Sequence, residues 1–138
     1  MVSKSFKIEE LVPPTVFNAR GFKSWELIDN KLIITMDAIK ARFPNGTMTI
    51  NNWLWGGDRR WSGLRTPDAA EYYSQTSQHS FGRALDAVFS AYDVEEVRQY
   101  ILANPEEFPH VKGVELGTGW LHVDVRNTID GSVKSFYP

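Results

Sequence analysis

His79, His110 and His122 are the only imidazoles in this chain, and two of them stand close to aspartates in strand-like sequence. His79 precedes Asp86 by seven positions in SQHSFGRALDAVF, and His122 precedes Asp124 by two in GWLHVDVR. Positions i and i+2 of a strand face the same way, so His122 and Asp124 present their side chains to one surface. Asp86 raises a question of its own, because it lies in an apolar run and a buried carboxylate is costly unless something positive compensates it.

Two answers fit the residues. An open zinc site takes three histidine or carboxylate ligands and leaves a fourth position for water, and His79, Asp86 and His122 meet that count. Gly82, between the first two, lets the chain bend so that a loop histidine and a strand aspartate converge. The alternative pairs Asp86 with an arginine such as Arg83 or Arg126 and leaves the histidines at the surface. With no cysteine in the chain, disulfides, thiolate nucleophiles and Cys-type zinc sites are excluded.

The elements that must position these residues can be read in outline. Trp25, Ile28, Leu32, Met36, Ile39 and Phe43 recur at steps of three and four, which predicts one helix from Trp25 to Phe43, started by Ser24 and stopped by Pro44. TMTINNWLW reads as a β-rich run after the Asn45-Gly46 turn. Residues 56–76, rich in Gly, Asp, Arg, Ser and Thr, read as a long surface loop, of a length that is usually functional or disordered. Arg83 to Phe89 alternates as a strand, with Ala84, Asp86 and Val88 on one side. Asp93 and Glu96 form the signature of a capping box, and Val94, Val97 and Ile101 give the next helix its buried stripe. Gly113 to Leu116 and Trp120 to Val125 read as two strands joined through Gly117-Thr118-Gly119. The order predicts a single α+β domain over 1–138, with a small antiparallel sheet and flanking helices.

Composition narrows the partners. Fifteen basic against seventeen acidic residues give a formal charge of -2, which lacks the cationic excess of a non-specific nucleic-acid binder. No apolar run approaches the roughly 20 residues that span a bilayer, so membrane insertion is not expected. The N-terminal MVSKSFKIEELVPP has no apolar stretch of signal-peptide length, and synthesis in a cytoplasm is expected.

Ser77-Gln78-His79-Ser80-Phe81-Gly82-Arg83-Ala84-Leu85-Asp86 resembles the S-x-H-x-x-G-x-A-x-D signature of the zinc-dependent D-alanyl-D-alanine carboxypeptidase family. Leu121-His122-Val123-Asp124, with a tryptophan before it, is similar to the family's H-x-D metal motif, and Ser62-Gly63-Leu64-Arg65 resembles its S-G-x-R element. The resemblance implies a Hedgehog/DD-peptidase fold with zinc held by His79, Asp86 and His122. It implies hydrolysis of peptidoglycan stem peptides, either as a D,D-carboxypeptidase or as an L-alanyl-D-glutamate-type endopeptidase. A phage endolysin or virion-associated lysin would carry out this reaction at the cell wall, as part of a particle or after release by a holin.

In that chemistry zinc activates water and polarises the scissile carbonyl, while an acid moves the proton. Better-known members place this acid three residues before the second metal histidine, where this chain has Gly119. Glu115 is the nearest upstream acid, and a turn through Gly117 and Gly119 would fold it over the metal. Asp124 is the rival base, though its place beside a metal histidine fits a role in orienting the imidazole. Arg65 is expected to hold a substrate carboxylate or to stabilise the oxyanion, and Ser77 to bond a ligand carboxylate or cap a turn. Trp53, Trp55, Trp61 and Trp120 are candidate cleft or core aromatics, and His110 reads as a surface residue. The missing acid also leaves open a non-catalytic, zinc-stabilised structural or binding module.

Overall fold

The computed structural model describes residues 1–138 as an α+β arrangement built on one five-stranded sheet. Three α-helices, α1 (Pro14–Arg20), α2 (Asn30–Arg42) and α3 (Val94–Ala103), are joined by 3-10 turns and by strands β1 (Met48–Thr49), β2 (Ala84–Phe89), β3 (Gly113–Glu115), β4 (Leu121–Asp124) and β5 (Lys134–Phe136). The strand order is β1-β2-β4-β3-β5. All neighbouring pairs are antiparallel except β3 and β5, which run parallel, so the sheet is mixed and not purely antiparallel. No helix is long and apolar enough to cross a membrane.

The helix expected from Trp25 to Phe43 is two elements. A 3-10 helix covers Gly21–Leu27, and α2 begins only after Asp29, whose carboxylate accepts the Lys31 N–H at 2.8 Å. Aspartate at this position satisfies an amide that the first turn of a helix leaves unpaired, so the boundary falls here and not at Ser24. Ser24 is buried, and its hydroxyl has no hydrogen-bond partner. All six apolar residues of the predicted stripe are nevertheless buried, because the 3-10 segment carries Trp25 and the extended Ile28 onto the same core that α2 covers. The helix stops at Phe43, as Pro44 requires.

Asp93 caps α3 alone, accepting the Glu95 N–H at 3.2 Å, without the reciprocal bond from Glu96 that a capping box needs. Val97 and Ile101 are buried, and Val94 packs at the margin of the core. Arg98 on the same helix is also buried, paired with Glu95 and donating to the carbonyls of Thr118 and Trp120 at 2.9 and 2.8 Å. The β3–β4 turn is thereby pinned to α3 by a charge-assisted network. In TMTINNWLW only Met48–Thr49 pairs as a strand, and Trp53–Trp55 forms a 3-10 turn.

The sheet has two unlike faces. Leu85, Ala87, Val114, Leu121 and Val123 point into one cluster of 24 buried apolar residues that includes Leu32, Met36 and Ile39 of α2. Each fully buried Leu or Ile there contributes about 1.5–3 kcal/mol. The alternate residues face the other way: Asp86 pairs with His122, Ala84 with Asp124, and Gly113 with Asp124 from the opposite side. The core therefore fixes the register that assembles the polar face.

Gly82 ends the 3-10 turn Gln78–Phe81 with φ +67°, and a Cβ at this position would overlap the Leu27 carbonyl oxygen. Its own carbonyl accepts the Asp29 N–H at 3.0 Å. Gly82→Ala is expected to destabilise the protein by more than about 2 kcal/mol, from left-handed strain plus a backbone clash. A urea unfolding midpoint close to that of the unaltered protein would contradict this.

Candidate metal centre

His79 comes from the 3-10 turn, Asp86 from β2 and His122 from β4, and one ligand atom from each lies within 4.8 Å of the others. Asp86 Oδ1 is 3.4 Å from His79 Nε2 and 2.9 Å from His122 Nδ1. The ring centroids of the two histidines are 5.2 Å apart. Side-chain exposures of 4%, 13% and 10% leave the three inner atoms accessible only from the cleft above them.

Each of these side chains is also held from behind. His79 Nδ1 is 2.8 Å from the Gly63 carbonyl oxygen, to which Nδ1–H donates, and Nε2 is the nitrogen turned toward the centre. His122 Nε2 is 2.9 Å from Asp124 Oδ2, which leaves Nδ1 for the centre. Asp86 Oδ2 accepts from Arg65 Nη2 at 3.0 Å, which leaves Oδ1 facing the imidazoles. Metal-binding histidines characteristically carry such an outer partner, because it fixes the tautomer and the ring orientation.

Asp86 is paired with Arg65, and neither of the two arginines considered from sequence reaches it. Arg83 lies 3.5 Å from Asp29, and Arg126 grips Asp124 through Nε and Nη2, both at 2.7 Å. Asp124 is fully buried with both oxygens engaged. Gly113 makes this possible, since a Cβ there would collide with the Asp124 carboxylate.

Burial acts to raise the Asp86 carboxyl, but hydrogen bonds from His122 and His79 outweigh it and hold the group well below the usual carboxylate range. Burial likewise opposes charge on His122, yet its bonds to Asp124 and Asp86 push it up to about 9. For Asp124 the burial penalty is overcome by Arg126 and His122, which bring it down to about 2. Without an ion, then, a protonated His122 supplies the positive charge between two carboxylates, and a divalent cation can take over that role.

A cleft of about 540 Å³ opens over the centre, lined among others by Arg65, Tyr72, Gln78, Glu115, Trp120 and Phe136. Glu115 is the last residue of β3. Val114 pairs with Val123, so the same register sets Glu115 beside His122, and Asp86, His122 and Glu115 form a row across three strands. The turn through Gly117 and Gly119, expected from sequence, joins β3 to β4, and the antiparallel pairing of the two strands brings Glu115 to the cleft. Its carboxylate has no protein partner, whereas Gly119 is exposed and leaves the expected acid position empty of any side chain.

Ser77 lines the cleft and caps the 3-10 turn, its Oγ accepting the His79 N–H at 3.2 Å. Arg65 donates from Nε to the Trp61 carbonyl at 2.7 Å and from Nη1 to the Tyr72 carbonyl at 3.4 Å, besides its bond to Asp86. Trp120 is the one tryptophan lining the cleft, and His110 lies in a separate groove. Sequence reasoning missed Gly63, Gln78 and Phe136, and Arg126, offered from sequence only as one alternative partner of Asp86, bonds Asp124. The alternation of His122, Asp124 and Arg126 placed all three on one face and was the available signal for Arg126. The Gly63 contact is made by a backbone carbonyl and leaves no mark in residue type.

Asp124→Asn is expected to weaken zinc binding by roughly 10- to 100-fold, as loss of an outer-sphere partner does. Gly113→Ala should act in the same direction by displacing that carboxylate. Competition against a chromophoric chelator measures both, and unchanged affinity in the two variants would remove Asp124 from the centre. Comparison of the chain with known protein families, with curated proteins and with solved structures finds no match.

Proposed function

We propose that this chain is a zinc-dependent peptidase that hydrolyses peptide bonds of peptidoglycan stem peptides at the cell wall, in the manner of a phage lysin. One observation carries the metal assignment: three converging ligand atoms, each held in place by a separate outer partner, Gly63 for His79, Asp124 for His122 and Arg65 for Asp86. The substrate class rests on the resemblance of the motifs running from Ser62 to Asp124.

Zinc bound here supplies Lewis acidity toward the scissile carbonyl and makes water more acidic. Glu115, free of protein partners, takes the proton of the attacking water and returns it to the departing amine as the C–N bond breaks. Bonds from Arg126 and His122 to both oxygens of Asp124 support Glu115 over Asp124 as the base. Arg65 lines the cleft and keeps Asp86 oriented through Nη2.

Gly119 favours a second reading, a zinc-stabilised binding module without turnover, because no acid stands where better-known members carry one. Zinc content and stem-peptide cleavage measured on one preparation separate the two. Digestion of peptidoglycan of known chemotype, with new termini identified by mass spectrometry, should reveal a peptide bond cut once per repeating stem. Stoichiometric zinc with no new termini would leave the binding module.

A further inference from the structure

Two arginines line the cleft, and they differ in what they have left to give. Arg65 directs Nε, Nη1 and Nη2 to the carbonyls of Trp61 and Tyr72 and to Asp86. Arg126 uses Nε and Nη2 on Asp124, and its Nη1 has no acceptor in the protein. The Arg126 guanidinium lies 4.9 Å from the centroid of the Phe136 ring, and its side chain is 28% exposed. Stacking and the two-pronged bond to Asp124 fix the plane of this fork, so little further entropy is lost when Nη1 meets an acceptor.

Arg126 also stands at the boundary of a second, smaller groove. Lys31, His110 and Lys112 line that groove with it, together with Pro109, Val125, Asn127 and Thr128, and no acidic residue does. Lys31 and Lys112 thus stand on the Arg126 side of the centre, whereas Glu115 lines the cleft itself. A substrate anion is drawn to the side where a cation with a free donor waits.

We propose that Arg126 receives a carboxylate of the peptide substrate, so that the cleft selects stem-peptide segments bearing a free carboxylate near the scissile bond. This assignment rests on the peptidase reading and transfers to Arg126 the substrate contact that the sequence motif gave to Arg65. A carboxylate oxygen on Nη1 forms a charge-assisted hydrogen bond, while the shared guanidinium keeps Asp124 and His122 in place. Substrate recognition and metal-ligand orientation then meet in one side chain.

The test titrates a stem pentapeptide with free carboxylates, and the same peptide with every carboxylate converted to an amide, into the zinc-loaded Glu115→Gln chain, which spares the peptide during the measurement. The free acid is expected to bind tighter by roughly 10-fold or more, the range of a hydrogen bond to a charged group. Arg126→Met in the same background should bind both peptides alike. Should Arg126→Met fail to hold zinc, Lys31→Glu, which leaves Asp124 untouched, reads the same field and should reduce the preference. Equal binding of the two peptides before any change at Arg126 would overturn the assignment, as would a preference that survives in Arg126→Met or, where that variant loses zinc, in Lys31→Glu. Cleavage by the chain with its native Glu115 is scored separately. Cleavage with no carboxylate preference sinks this inference alone, and an Arg126-dependent preference without any cleavage sinks the peptidase reading alone.

Discussion

Chelation is expected to reduce peptide hydrolysis to background and to lower the melting temperature, with zinc restoring both. The ligands come from a 3-10 turn and two different strands, so an ion that binds them together stabilises the folded chain by mass action. His122→Ala should lack hydrolysis and gain no melting temperature from zinc, whatever the zinc concentration. His110→Ala, in the neighbouring groove, should be silent in both measurements. Full activity in excess chelator would sink the metal assignment, and equal effects of the two histidine variants would mean that the site lies elsewhere.

A pH signature accompanies this result. In the metal-free protein His122 is pushed up to about 9, above its ordinary value of 6.5, so it contributes stability that is fully present below about pH 6.5 and is lost as pH rises through about 9. The zinc-loaded protein runs the other way across this window, because the ion must displace the His122 proton and does so more easily as pH rises. Melting curves at pH 6.5 and 9, with and without zinc, should therefore diverge. Calorimetric titration in buffers of different ionisation enthalpy should register about one proton released per zinc near neutrality.

Glu115→Gln is expected to lower turnover by roughly 100-fold or more while zinc stays bound, the scale on which general bases act. The amide preserves the shape of the side chain at the end of β3 and removes only the proton acceptor. No protein group bonds this carboxylate, so the substitution costs no internal hydrogen bond and should leave the melting temperature unchanged. The contrast with Asp124→Asn, which should lose metal first, assigns the two acids. Near-normal turnover in Glu115→Gln, together with a zinc-replete but inactive Asp124→Asn, would exchange their roles.

The sequence by itself determined the elements whose cause is local. The apolar stripes of α2 and α3, the stop before Pro44, the glycine bend after His79 and the shared face of His122 and Asp124 follow from side-chain period and backbone preference, which act over a few residues. The candidate ligand trio was legible for the same reason, since its types and spacings lie in two short motifs. Local signals also misled where a stronger local competitor existed: Asp29 is a better cap than Ser24, and it divided one apolar stripe between a 3-10 segment and α2.

Only the tertiary structure decided what stands behind and beside each ligand. Gly63 and Arg65 approach His79 and Asp86 from 16 and 21 residues away, and nothing near Arg65 in the sequence marks it as the partner of Asp86. Glu115 reaches the centre because the β3–β4 register, set by buried Val114 and Val123 on the other face, slides it beside His122. Arg126 bonds Asp124 because the backbone leaves room for that carboxylate against Gly113. These choices depend on which surfaces the core brings together, and hydrophobic burial is non-directional, so the sequence pattern names the residues that go inside without naming the polar neighbours they will meet.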